Sequence, residues 1–199
     1  GALKAMRAIE MGIPEDELQD IVDLWRSANK NIVKLWYAIE NTAVEALLTN
    51  EPQRLECLTF RREADLVYGQ EFLTIELPSG RKLFYPRPFL GENKFGRKAI
   101  HFYGVNQQTR KWEVESTYGG KLTENIVQAI ARDCLAYAII NLDERMDEKN
   151  QTVMHVHDEV VIDAIEETTV EEVCEMLGEP IPWAPGLLLR AEGFESTYY

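Results

Sequence analysis

The sequence predicts an α+β fold, in which helices and antiparallel strands occupy separate stretches of the chain. Three observations lead to this prediction. Apolar residues recur at helical spacing over the first 50 residues and again from about residue 119 to 146. Residues 56–118, between those stretches, contain short strand-like runs separated by turn residues. A further pair of short, β-branched runs follows the long helix.

The first 50 residues predict three helices, near residues 3–11, 15–27 and 30–49. Small and polar residues mark the break between the second helix and the third. The third helix has an apolar stripe at helical spacing, made of Ile32, Trp36, Ile39, Ala43 and Leu47. We therefore expect the aromatic side chains of this segment to pack in the core, namely Trp25, Trp36 and Tyr37.

The middle of the chain predicts antiparallel hairpins. Residues 71–85 form one hairpin around the turn Pro78-Ser79-Gly80, because proline and glycine are typical of tight turns. Residues 99–103 are expected to pair with residues 112–116 across a polar loop.

A long helix follows, in the segment that begins with Gly119-Gly120 and extends to about Met146. Thr123 is the predicted N-cap, and Leu122 and Val127 have the spacing of a hydrophobic staple around it. The predicted core stripe of this helix consists of Val127, Ala131, Cys134, Leu135, Ala138 and Leu142.

Two amides of the long helix are candidates for DNA recognition. Asn125 and Gln128 are three residues apart and so share a helix face. Amides there can read hydrogen-bond acceptors in a DNA minor groove, where every base pair offers them. The alternative is an ordinary solvated face.

The strongest candidate for a metal-binding or catalytic site follows this helix. Residues 153–156 and 160–162 read as two short strands, with His157, Asp158 and Glu159 at the turn between them. A carboxylate fixed at a hairpin tip is well placed to hold Mg²⁺, which takes oxygen ligands and assists phosphoryl transfer. The alternative is a simple polar turn, since aspartate is common in turns.

Composition is typical of a globular protein, with 45% hydrophobic residues in 199. The three cysteines are widely spaced and show no Cys-x-x-Cys pair, which disfavours a disulfide or zinc framework. No apolar run approaches the ~20 residues that span a bilayer, and the N-terminus lacks a signal-peptide pattern. We therefore expect a cytoplasmic protein without a membrane partner.

The charge is unevenly distributed. The formal net charge is −13, but residues 51–121 carry 12 basic and 9 acidic side chains, whereas residues 122–199 carry 4 and 17. Part of the acidic tail reads as an amphipathic helix at residues 169–177. The basic side chains of the middle segment can meet a duplex backbone or form a solvated face: Arg81, Lys82, Arg87, Lys94, Arg97, Lys98, Arg110 and Lys111.

The order of a glycine-rich turn, a helix bearing Gln128 and the sequence His157-Asp158-Glu159 resembles the C-terminal part of family A DNA polymerases, the DNA polymerase I family, especially the phage type. The hairpin resembles motif C of that family, and the helix resembles the palm helix that follows the primer-template minor groove. The resemblance covers nearly the whole chain. It implies a helical fingers remnant at residues 1–50, and a partial palm at residues 51–199 with a closing strand near residues 186–193, all in one compact unit.

The resemblance also implies roles for single residues. Asp158 matches the motif C metal ligand, Glu159 its acidic neighbour, and His157 the residue that approaches the primer-terminal nucleotide. Gln128 matches a minor-groove contact. The family's companion asparagine falls at Glu124 here, with Asn125 one position later, and Lys121 is the cation nearest to the family's arginine. Arg81 and Lys82 lie in the hairpin that resembles the family's Gly-Arg-Arg element.

The implied activity is template-directed nucleotidyl transfer to a primer 3′ end, with primer-template DNA, dNTP and two Mg²⁺ ions. The family's first metal-binding element, Asp-Tyr-Ser followed by Ile-Glu, is absent from these residues, as is the fingers helix that grips the nucleotide. We therefore expect a fragment, either cut from a longer polymerase or encoded by a truncated prophage gene, that lacks its N-terminal polymerase portion. Two-metal catalysis needs both ions, so the chain is expected to be inactive alone.

Two other classes of function fit parts of the sequence. A metal-dependent phosphohydrolase of the His-Asp type would use imidazole and carboxylate ligands, drawn from His101, His155, His157, Asp158 and Asp163. A non-catalytic module would bind primer-template DNA or complement a separate subunit that holds the missing aspartate.

Overall fold

The computed structural model describes residues 2–93 and 96–198. Lys94, one of the candidate contacts to a DNA backbone, lies outside the described residues. Helices and antiparallel sheets are both present, and this predicted mixture is confirmed. No helix within the described ranges is long and apolar enough to cross a membrane.

The N-terminal helices are α1 (Ala2–Ala5), α2 (Leu18–Ala28) and α3 (Lys30–Thr49), with a 3₁₀ turn at Glu15–Glu17 before α2. The predicted helix over residues 3–11 is wrong, because α1 ends at Ala5 and turns follow. Arg7 and Gly12 adopt positive φ angles of 60° and 94°, which a right-handed helix does not accommodate. Such a short segment has little packing to hold it helical, since Met6 and Met11 are exposed.

The apolar stripe of α3 is buried only in its C-terminal half. Ile39, Ala43 and Leu47 are buried, but Ile32 is exposed. The expectation that the aromatic residues pack in the core is also wrong for Trp25 and Tyr37, which are exposed. Trp25 instead stacks on Trp36, with ring centroids 5.6 Å apart. The aromatic rings therefore cover each other at the surface of the helix pair.

Four strands form one antiparallel sheet in chain order: β1 (Gln53–Leu55), β2 (Leu58–Ala64), β3 (Glu71–Glu76) and β4 (Lys82–Pro86). The predicted hairpin of β3 and β4 is confirmed, with Ile75 opposite Leu83 in its register. Gly80 has a φ of 84° in its turn, a conformation that glycine adopts without steric cost.

Three further strands form a second antiparallel sheet, β5 (Phe89–Glu92), β6 (Lys98–Val105) and β7 (Trp112–Thr117). The predicted pairing across the polar loop is confirmed, with His101 opposite Ser116. The edge strand β5 adds to the sheet by pairing Phe89 with His101.

Helix α4 (Gly119–Arg145) is the longest element of the described chain. Thr123 is not its N-cap, because the helix begins four residues earlier, after Tyr118. The N–H of Gly119 donates a hydrogen bond to Glu40 Oε2 of α3 at 3.0 Å, which satisfies one of the free donors at the helix start. Thr123 lies one turn into the helix, buried, and its hydroxyl donates to the Gly119 carbonyl at 2.7 Å.

The predicted core stripe of α4 is wrong in its first half. Val127 is 57% exposed and Ala131 is also exposed, whereas Leu122, Ile126 and Ala129 are buried. Apolar residues surround this part of the helix, so helical spacing alone fits more than one face. Packing of the helix start against α3 selects the face that is buried. The prediction holds further along, where Ala138 and Leu142 are buried.

The main core lies between the helix pair α3 and α4 and the four-stranded sheet. Ile100 of β6 also reaches into this core and is fully buried. The largest fully buried members bring the helices and sheets together, namely Ile39, Phe60, Leu73, Ile75, Ile100 and Leu122.

The C-terminal third contains a two-stranded antiparallel sheet of β8 (Gln151–Val156) and β9 (Glu159–Asp163), followed by helix α5 (Val170–Leu177). Thr169 caps α5 by accepting a hydrogen bond from the Glu172 N–H. The expected closing strand near residues 186–193 is wrong, since this segment is irregular. Its first residue, Gly186, lies in a turn with φ 84°, and the segment pairs with no strand of the described chain.

Gly119 provides a test of the α3–α4 contact. A Cβ added at Gly119 would overlap the carbonyl oxygen of Trp36, whereas one at Gly120 would meet the Tyr118 ring at 3.1 Å. We expect Gly119→Ala to lower the free energy of unfolding by about 3 kcal/mol, because backbone cannot move aside as a side chain can. The control Gly120→Ala should stay within about 1 kcal/mol of the parent, since alanine favours helix and the exposed Tyr118 ring can shift. Urea unfolding of both variants measures the difference. Equal losses of unfolding free energy would contradict the claim that the close contact of Gly119 with Trp36 limits how α4 packs on α3.

Candidate active site and nucleic-acid interface

The hairpin of β8 and β9 presents the predicted acidic residues at its tip. Val156 pairs with Glu159 at the end of the ladder, so His157 and Asp158 alone form a two-residue turn. His157 has a φ of 52°, a left-handed conformation in which histidine is found more often than most residues. His157, Asp158 and Glu159 are all exposed. The tip of the hairpin therefore holds two adjacent carboxylates toward solvent, Asp158 in the turn and Glu159 at the start of β9.

The hairpin is attached to α4 by a polar contact. Arg132 Nη2 lies 3.2 Å from His155 Nε2. A guanidinium group can only donate, so in a hydrogen bond here Nε2 would be the acceptor. Several apolar side chains of the hairpin stay exposed on its strands, including Val153 and Met154. A two-stranded ribbon is marginally stable by itself, so this attachment to the helix matters for where the tip lies.

Asp158 and Glu159 offer the oxygen ligands that Mg²⁺ prefers. In residues 2–93 and 96–198, however, no group of three or more His, Cys, Asp or Glu side chains is placed to hold a metal ion. The donor chemistry therefore fits Mg²⁺, but the described chain does not complete a coordination sphere around it.

The two candidate amides of α4 have different surroundings. Asn125 is half-buried, and its Nδ2 donates to the Tyr85 hydroxyl of β4 at 3.0 Å. Burial raises the pKa of Tyr85, with the hydrogen bond from Asn125 acting in the opposite direction. Gln128 is exposed, and its side chain makes no hydrogen bond to the described part of the chain. Only the Gln128 amide is thus available to an outside ligand without breaking an internal bond.

The candidate cations are engaged in ion pairs. Lys121 Nζ lies 3.1 Å from Glu124 Oε2, one helical turn away, and both side chains are half-exposed. Lys82 Nζ of β4 lies 2.9 Å from Glu63 Oε1 of β2, across the intervening strand β3. A DNA phosphate at either position would compete with an acidic partner from the same chain.

Arg81 has the most extensive internal contacts of these cations. Its Nε donates to Asp133 Oδ1 of α4, and an Nη donates to the Ala129 carbonyl at 2.8 Å. Ser79 Oγ donates to the second oxygen of Asp133 at 2.6 Å. The β3–β4 turn is therefore docked on α4 through Asp133, whose side chain is only 10% exposed.

Asp133 is a structural anchor that the sequence analysis did not single out. The sequence contains two signals for it. Asp133 is an acidic residue in the middle of the long helix, and Arg81 directly follows the glycine of a hairpin turn. Pairing the two requires knowing that the turn lies over the helix, which periodicity does not reveal.

The residues of the His-Asp phosphohydrolase alternative do not come together as a metal site. His101 lies in β6, stacked on Phe89 with ring centroids 5.1 Å apart. His155 contacts Arg132, and the described chain has no cluster of three potential ligands. Within residues 2–93 and 96–198, these side chains therefore do not form a metal site for this alternative.

The chain is similar in sequence to a phage protein. The chain is 45% identical over 202 aligned residues to a protein described as a DNA polymerase from Bacillus phage SP02. The alignment covers 100% of this chain and 30% of that protein, so the chain spans less than a third of its relative's length. No family model matches the chain, and no solved structure matches it.

The Asp133 anchor is testable by a double-mutant cycle. We expect Arg81→Ala and Asp133→Ala to show a coupling free energy of about 1–2 kcal/mol, because the carboxylate is nearly buried and hydrogen-bonded to a charged group. The exposed pair Lys121 and Glu124 serves as the control, with about 0.5 kcal/mol or less. Urea unfolding gives both couplings. A value for the Arg81 pair no larger than that of the control would contradict its role in docking the turn.

Proposed function

We propose that this chain is part of a template-directed DNA polymerase of family A, and that Asp158 holds one of the two catalytic Mg²⁺ ions. The observation that carries the proposal is an exposed aspartate at the tip of a two-residue hairpin turn, in a chain 45% identical to a phage DNA polymerase. The substrates would be primer-template DNA and dNTP.

The positions of the Asp158 and Glu159 carboxylates are suited to binding a Mg²⁺ ion. Asp158 lies in the turn itself and Glu159 is the first residue of β9, so the two acids are adjacent but leave the hairpin from different backbone positions. Asp158 would be the direct ligand, and Glu159 would add negative charge beside it. A bound Mg²⁺ supplies electrostatic stabilisation of the charge that develops during phosphoryl transfer.

His157 and helix α4 would position the DNA. His157 is exposed in the same turn as Asp158, which would bring its ring to the primer terminus when the metal site holds the reacting phosphate. Gln128 is the free amide on the exposed side of α4, so we assign it a hydrogen bond to a minor-groove acceptor. Asn125, Lys121, Arg81 and Lys82 are weaker candidates for DNA contact because each is bonded within the chain.

The remaining metal ligands would come from residues outside this chain. Two-metal transfer needs ions roughly 3.5–4 Å apart, and Asp158 and Glu159 supply too few oxygen ligands to hold both. The lack of a three-residue cluster in the described ranges supports this division of the site.

The purified 199-residue chain should therefore incorporate no nucleotides by itself. Extension of a labelled primer on a template, with Mg²⁺ and all four dNTPs, tests this expectation on a sequencing gel. A Mg²⁺-dependent ladder of products from the chain alone would contradict the divided site.

A chimera tests Asp158 directly. In it, this chain replaces the matching 30% of the Bacillus phage SP02 DNA polymerase, and the chimera is expected to extend primers. Asp158→Asn should reduce the rate by about 10³-fold or more, because losing a metal ligand removes several kcal/mol of transition-state stabilisation.

The matched control is Asp163→Asn, an exposed acid at the far end of β9 in the same hairpin. It should leave the extension rate within about threefold of the parent chimera, since only local surface charge changes. The site assignment is wrong if both variants extend primers at similar rates. A folded parent chimera without any extension would count against the polymerase proposal itself.

A further inference from the structure

The three-stranded sheet carries a row of aromatic side chains on one surface. The register places Phe89 opposite His101, Tyr103 opposite Val114, and Val105 opposite Trp112. Side chains alternate between the two faces of a sheet, so these residues share one face. We call it the aromatic face, and its large side chains are Phe89, His101, Tyr103, Val105, Trp112 and Val114. Gly91, Ala99 and Ser116 lie on the same face, where Ala99 is buried.

The aromatic face is the outer face of this sheet. The opposite face carries Ile100, which is fully buried in the core, and Phe102, which packs edge-on against Tyr85 with ring centroids 5.0 Å apart. The sheet is therefore fixed to the core from behind. Trp112 is 59% exposed and Phe89 is 43% exposed, so large apolar rings are presented to solvent on a supported surface.

Charge around the aromatic face favours an anionic partner. Glu113 and Glu115 of β7 alternate with Trp112 and Val114 and so point to the opposite face. Glu92 pairs with Lys98 and also belongs to that opposite face. Among the described residues of β5, β6 and β7, no acidic side chain lies on the aromatic face.

Basic side chains border the same surface. Arg87 lies over the Tyr103 ring, with its guanidinium carbon 5.5 Å from the ring centroid. Arg110 and Lys111 are exposed immediately before Trp112. Residues 87–111 contain six basic residues and one acidic residue, in a chain whose formal net charge is −13. Of these basic residues, Arg87 adjoins the aromatic face through Tyr103, and Arg110 and Lys111 adjoin it in the loop before Trp112, whereas Lys98 lies on the opposite face.

We infer that the aromatic face binds single-stranded DNA, with unpaired bases stacked on Trp112 and Phe89 and phosphates held by Arg87, Arg110 and Lys111. Exposed aromatic rings combined with a basic border are the arrangement that recognises unpaired bases, because every base offers a flat face for stacking. Duplex DNA hides those faces, so charge alone would remain to bind it.

A protein partner is disfavoured by the same features. A protein surface that covers the apolar rings would also have to supply acidic groups matching Arg87, Arg110 and Lys111 around them. A nucleic acid strand offers flat rings and negative charge in every unit.

The choice of DNA rather than RNA rests on the proposed polymerase function, whereas the stacking site rests on the geometry of the aromatic face. The two are separable, since strand binding here needs neither Mg²⁺ nor Asp158. The aromatic face and the acidic hairpin belong to separate sheets.

Fluorescence anisotropy of a labelled oligothymidine of about 12 nucleotides, titrated with the 199-residue chain in EDTA at low salt, tests the proposal. We expect saturable binding, at least about tenfold tighter than to a blunt duplex of the same length. Trp112→Ala should weaken oligothymidine binding by at least about fivefold, the lower end of the effect of losing one stacked base. The control Tyr68→Ala removes another exposed aromatic ring, at the β2–β3 turn, and should bind as the parent does.

Trp112→Phe separates stacking from folding. It should bind within about twofold of the parent, because phenylalanine also stacks, but lose most of the tryptophan quenching that the oligonucleotide causes. Lys111→Gln should reduce the slope of log affinity against log salt by about 0.7, whereas Lys34→Gln, at an exposed position on α3, should not change it.

The proposal is overturned if Trp112→Ala, shown to be folded by its unfolding transition, binds oligothymidine as the parent does. Equal or tighter binding of the duplex would overturn it as well, and so would an absence of oligothymidine binding. Tighter binding of oligouridine would overturn the assignment to DNA. Asp158→Asn should leave the affinity unchanged in this assay, so failure of the metal-site proposal and failure of the stacking site give different results.

Discussion

Helix α4 comes so close to α3 at Gly119 that a single added carbon would overlap the Trp36 carbonyl. This contact sets where α4 begins, and the hydrogen bond from the Gly119 N–H to Glu40 fixes the helix start to its neighbour. From there α4 positions its other neighbours one by one. Asn125 bonds Tyr85 of the four-stranded sheet, Asp133 bonds the β3–β4 turn, and Arg132 bonds His155 of the acidic hairpin.

The far end of α4 is attached in the same manner. Asn141 and Arg145 both contact Glu179, which follows α5, and the hydrogen bond from Arg145 lowers the pKa of that carboxyl, with Asn141 contributing in the same direction. These contacts are polar and lie at the edges of the helix, whereas its buried face packs on the core. The position of the Asp158 turn therefore depends on a helix that is held along its whole length.

The sequence predicts correctly those elements that depend on interactions between neighbouring residues. The β3–β4 hairpin follows from Pro78-Ser79-Gly80, and the acidic helix was placed within one residue of its start. Predictions from the sequence are wrong where a contact between distant parts of the chain decides the structure. Thr123 has the chemistry of an N-cap, but packing of Gly119 on α3 extends the helix past it. Val127 has the spacing of a core residue, but that same packing turns Ile126 inward instead.

The candidate site was predictable only in part for the same reason. The hairpin tip with Asp158 follows from short β-branched runs around three polar residues, which is local information. The hydrogen bonds of Asn125 to Tyr85 and of Arg81 to Asp133 are not local information. Each joins residues that are 40 or more positions apart in the chain. Spacing along one helix could not distinguish the free Gln128 from the occupied Asn125.

Binding of Mn²⁺, which accepts carboxylate ligands as Mg²⁺ does, tests the central claim most directly. Electron paramagnetic resonance measures free Mn²⁺ in titrations of the chimera with the phage polymerase, in the presence of primer-template and a non-hydrolysable nucleotide. The account predicts that Asp158→Asn weakens Mn²⁺ binding by at least about tenfold while Asp163→Asn does not. Equal Mn²⁺ affinity in the parent and in Asp158→Asn would contradict it.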